Sequence, residues 1–207
     1  MPGPPLYATS PSVPRNLLLI DTPDFDTGVE GRMVNRERAE PVLRTAEVIV
    51  YVFTNTVYNN LSNTRFMADV IGEIGGRPTV LVYRISRAAS DAEVLAHCQV
   101  VARQLYRLDE GQGLPPQLLG MYRMPESDAV ALGQAEPTLI PVGDVTGGRG
   151  LRELLSSLDV SGVKRSVFAA DLEQIRREAA ADLAALQQEA RKAALYRRGL
   201  DQVTAEE

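Results

Sequence analysis

The sequence predicts an α/β protein, an open and mainly parallel sheet with helices on both faces and a long helix at the C-terminal end. Three observations carry that prediction. Apolar runs at 16–20, 48–53, 78–83 and 138–142 alternate with segments of helical period, and parallel strands need crossovers of that length to pass over a sheet. The run Val48-Ile49-Val50-Tyr51-Val52-Phe53 has no polar alternation, which is how a strand buried on both faces reads. From Lys164 onward the texture changes to an Ala-rich, charge-laced stretch with apolar residues on one helical face.

The elements follow in order. Residues 1–15 are a loose lead-in, because the prolines of Met1-Pro2-Gly3-Pro4-Pro5 and of Ser10-Pro11-Ser12-Val13-Pro14 cannot join a strand ladder. Order is expected to begin at Asn16, where an apolar strand runs to Ile20 and into an acidic loop, Asp21-Thr22-Pro23-Asp24. Helical character spans Asn35 to Ala46, interrupted by Pro41, and the strand at 48–53 comes next. Phe66, Met67, Val70, Ile71 and Ile74 recur at helical spacing, with Gly75-Gly76 as a left-handed stop. Pro78 to Tyr83 is the next strand. Ser90-Asp91-Ala92-Glu93 is a capping box that opens a helix running to about Leu105. Beyond the polar loop from Asp109 to Pro116, the pattern gives a short strand at Gln117 to Tyr122 and a firmer one at Thr138 to Val142. Gly147-Gly148-Arg149-Gly150 breaks the chain before a helix at Leu151 to Leu158. The division expected is a lead-in at 1–15, an α/β body at 16–160 and a helical extension at 161–207. In the extension Leu172, Ile175, Ala179, Leu183, Leu186, Ala190 and Ala193 mark one face.

With 207 residues the chain can bury one full core and still carry an extension. Its net charge of -5 gives no bulk attraction to nucleic acid or anionic lipid. One cysteine and one histidine, Cys98 and His97, exclude a disulfide framework and a zinc site made by this chain alone. As neighbours on a helix they point roughly a third of a turn apart, so helix packing is expected rather than a nucleophile and its base. No segment reaches the roughly 20 apolar residues that span a bilayer, and the N-terminus lacks signal-peptide features, so a cytoplasmic setting is expected.

Ligands collect beyond the carboxyl ends of parallel strands, and a strand that ends in a carboxylate is how nucleotide hydrolases hold magnesium there. Leu17-Leu18-Leu19-Ile20 followed by Asp21-Thr22-Pro23-Asp24 resembles the switch II motif, Asp-x-x-Gly, of the translation-factor-related P-loop GTPase superfamily. The variant with Asp24 at the glycine position is similar to that of bacterial dynamin-like GTPases. The resemblance implies Asp21 as the magnesium residue, acting through a water, with Mg2+ and GTP as cofactors. Tyr83-Arg84-Ile85-Ser86 then stands where the family reads guanine with Asn/Thr-Lys-x-Asp. Ser86 cannot give the bidentate, charge-assisted pairing of an aspartate, while Arg84 can pack its stem against a base. Leu139-Ile140-Pro141-Val142-Gly143-Asp144 and the following Thr146-Gly147-Gly148-Arg149-Gly150 resemble the last strand and base loop of Era-like GTPases, with Gly143-Asp144 in place of Ser-Ala. The resemblance covers about Asn16 to Leu158. The phosphate-cradling Gly-x-x-x-x-Gly-Lys-Ser/Thr is absent from all 207 residues and belongs upstream of Asp21.

Two functions follow. One is a GTP-binding, GTPase-like domain that lacks its phosphate loop, is impaired alone, and has no residue assigned to position the attacking water. The other is a non-catalytic α/β scaffold that meets a protein partner, or a second copy, through the C-terminal helix. An Asp-Thr-Pro turn that merely caps a loop is the plain reading of residues 21–23.

Overall fold

The computed structural model of the chain describes residues 17–22, 29–54, 61–72, 77–85 and 89–205. The expected lead-in, the Gly75-Gly76 stop, Pro23, Asp24 and Ser86 lie outside the described residues. The elements in chain order are α1 (Val29–Thr45), β1 (Ile49–Phe53), α2 (Leu61–Gly72), β2 (Thr79–Ile85), α3 (Asp91–Tyr106), β3 (Leu118–Pro125), α4 (Asp128–Ala131), β4 (Ile140–Pro141), α5 (Leu151–Ser156) and α6 (Val160–Ala205).

The four strands form one sheet in the order β1-β2-β3-β4. β1, β2 and β3 are parallel, with Phe53 beside Tyr83 and Tyr83 beside Arg123, and β4 is antiparallel to β3. A bulge between Thr79 and Val80 sets two residues of β3 against one of β2. The α/β class is therefore as the sequence predicts, with a mostly parallel but mixed sheet.

Side-chain alternation along β2 feeds two cores. Leu81, Tyr83 and Ile85 join Ile49, Tyr51 and Phe53 under α1, α2 and α3, where Met67, Ile71, Val94, Cys98 and Leu105 close the layer. Val80 and Val82 point to the opposite face, against Tyr122 of β3 and Leu154 of α5. This second core is small and leaves part of β1 uncovered, with Val50 38% and Val52 50% exposed.

α3 starts as its sequence dictates. Ser90 Oγ accepts from the Glu93 amide at 3.3 Å, and the Ser90 amide donates to the Glu93 carboxylate at 2.8 Å, both halves of the capping box. It ends at Arg107, whose backbone is left-handed at φ 52.

Three expectations are corrected. Residues 17–20 form no strand, and Leu18 is 80% exposed. Among the described residues nothing pairs with the outer edge of β1, and this apolar run stands across a cavity from the start of β1 rather than on that edge. The two late strands exchange rank: β3 is a full eight-residue interior strand, and β4 is a two-residue bridge. Pro141 has no amide to donate, which restricts its segment to the sheet margin. β4 also runs antiparallel where the Era-like comparison implies a parallel strand. The C-terminal helix begins at Val160, one residue ahead of the expected extension at 161–207, and at 46 residues it is about 69 Å long at 1.5 Å per residue.

Candidate functional site

Asp21 and Thr22 line a cavity of about 560 Å³. One wall is the segment Leu17 to Thr22, the second is the end of α1 with the start of β1, and the third comes from Leu155, Leu158, Val160, Val163 and Lys164. Asp21 is exposed and Thr22 half-buried. The part of β1 that lines the cavity is its beginning, Ile49 and Val50, rather than the tip at Phe53.

Tyr83 and Arg84 occupy the other end of the sheet. Tyr83 is buried between Phe53 and His97, with ring centroids at 5.1 and 5.3 Å, so its ring is core. Arg84 is exposed and bonded to Glu126 at 2.7 Å, just past the tip of β3, and the Glu126 amide donates to the carbonyl of Ile85 at 2.8 Å. Beside it Arg123 meets Asp91, at the first turn of α3, at 3.1 Å. The mouth of the parallel strands is thus rimmed by two cross-element ion pairs. Sequence reasoning missed Arg123, Glu126 and Asp91. The signal available was an arginine within the apolar run of β3, facing the acidic first turn of α3.

Gly143 and Asp144 follow β4, and β4 carries them away from that mouth. Val142 donates to the carbonyl of Met121 at 2.9 Å, and Thr146 comes to lie against Gly120. Gly143 has φ +67, the left-handed region that favours glycine, and a Cβ there would press on the tip of the Leu95 side chain at 2.9 Å. Asp144 is exposed in the turn, and its backbone carbonyl accepts from the Gly147 amide at 3.0 Å. The described candidates therefore occupy three places: Asp21 and Thr22 at the cavity, Tyr83 and Arg84 at the strand tips, and Gly143 and Asp144 beside the middle of β3. The remaining candidates, Pro23, Asp24 and Ser86, lie outside the described residues.

Among the described residues no group of three or more His, Cys, Asp or Glu gathers to hold a metal ion, and Asp21 alone does not supply a coordination sphere. Cys98 is fully buried, and burial pushes its thiol up to about 12, so it stays protonated and inert. The adjacent His97 packs on Tyr83, and helix packing accounts for the pair.

At the opposite end of the sheet Arg77 is 3% exposed, and its guanidinium donates to the carbonyls of Arg44 and Ala46 at the end of α1. Burial lowers its pKa, the fields of Asp171 and Glu47 raise it, and Arg44 adds to the lowering. Its own carbonyl accepts from Tyr106 at 2.9 Å.

Among the described residues no helix is long and apolar enough to cross a membrane. Compared with protein-family models, curated proteins and solved structures, the chain matches none.

Proposed function

We propose that this chain is the larger part of a GTPase-type nucleotide-binding domain and that it neither binds nor hydrolyses GTP by itself. The observation that carries the reading is the cavity beside β1. β1 is a continuous apolar strand of the kind found between two neighbours, yet among the described residues it pairs only with β2, and Val50 and Val52 stand exposed. Across the cavity lies Leu17 to Ile20, a second apolar segment with no ladder, which leads into Asp21.

A further strand seated between the two would satisfy both edges. In the reading proposed, that strand leads into the phosphate-binding loop, and Asp21 reaches the nucleotide once its segment is drawn into the sheet. Until then Asp21 lies beside the start of β1, away from the strand tips, which is the physical reason for inactivity. The motif resemblance from Asp21 to Gly150 supplies the choice of nucleotide, and Mg2+ would be held through Asp21 once the phosphates are present to share it.

The test is fluorescent GTP binding with and without magnesium. The chain alone should show no saturable binding. A fusion that places an apolar strand and a Gly-x-x-x-x-Gly-Lys-Ser loop ahead of residue 1 should bind in the micromolar range, and Asp21→Ala should weaken that by at least about tenfold, or 1.4 kcal/mol. Binding by the unfused chain that is indifferent to Asp21, or a folded fusion that binds nothing, would overturn the reading.

A further inference from the structure

We draw no further inference here: the strongest candidate, the exposed apolar face of α6 around Phe168, Leu172, Ile175, Leu183 and Leu186, carries nothing because nothing in the structure shows what covers it.

Discussion

A buried arginine is costly unless its donors are matched, and the two terminal nitrogens of Arg77 are matched to carbonyls that the end of α1 leaves without helical partners, while its Nε is buried without one. Arg77→Met keeps the apolar stem but orphans those carbonyls. Urea unfolding should show a loss of about 2–3 kcal/mol with little change in slope. Arg77→Lys should recover only part, since one ammonium cannot reproduce the fork that reaches Arg44 and Ala46. Burial raises both Cys98 and Tyr106 to about 12, so the folded state keeps protons that the unfolded chain gives up from about pH 9 for the thiol and pH 10 for the phenol. The contribution of these two groups should therefore be constant below about pH 9 and be lost as pH rises toward 12. Tyr106→Phe should make the upper part of that fall shallower in thermal melts, at a loss of about 1 kcal/mol near neutrality from the bond to the Arg77 carbonyl. At this scale the inert role of Cys98 was legible, because helical spacing alone separates it from His97. Arg77 was not legible, since a lone arginine before a proline looks like a turn residue until α1 is seen to end beside it.

Local chemistry wrote some elements plainly and left others open. The capping box of α3 spans four residues and needs no distant partner, so it could be read in advance. Ser90→Ala should cost about 1 kcal/mol and lower the helix signal little. β3 and β4 were ranked in the wrong order because strand rank depends on neighbours. Leu118 to Pro125 lies between β2 and β4, a position that no local pattern reports, while the apolar residues around Pro141 had only a sheet margin to join. Gly120 records how closely β3 is packed. A Cβ there would meet Thr146 at 2.9 Å, Tyr122 at 3.0 Å and Leu154 at 3.2 Å. Gly120→Ala should therefore destabilise by about 1–3 kcal/mol through overpacking. The loss should be largest in the packing of α5 on the sheet, read from amide exchange in α5. The strand expected at 16–20 failed for the reason that misplaced β4: its pairing partner is not local.

For the whole molecule, the alternation of strands and helices was legible because it is periodic. The site was not, because it depends on which strand tips become neighbours. Asp21, Arg84 and Asp144 stand at three separate places, and the outer margin of β1 is open among the described residues. That open margin has a direct readout in amide exchange. Ile49 donates its N–H to Pro78 at 2.9 Å, and alternation along a strand sends the N–H groups of Tyr51 and Phe53 toward β2 as well. The amides of Val50 and Val52 then face the open side, where among the described residues no strand receives them. Exchange should be slow at 49, 51 and 53 and fast at 50 and 52, with a contrast of at least about tenfold, since a ladder amide exchanges only when its structure opens. In a fusion that supplies a strand beside β1, protection at Val50 and Val52 should rise to the level of Tyr51, and Leu17 to Ile20 should become protected with them. Protection of Val50 and Val52 in the unfused chain would mean that this edge is already occupied, and the completion of the sheet by a further strand would then have no place to occur.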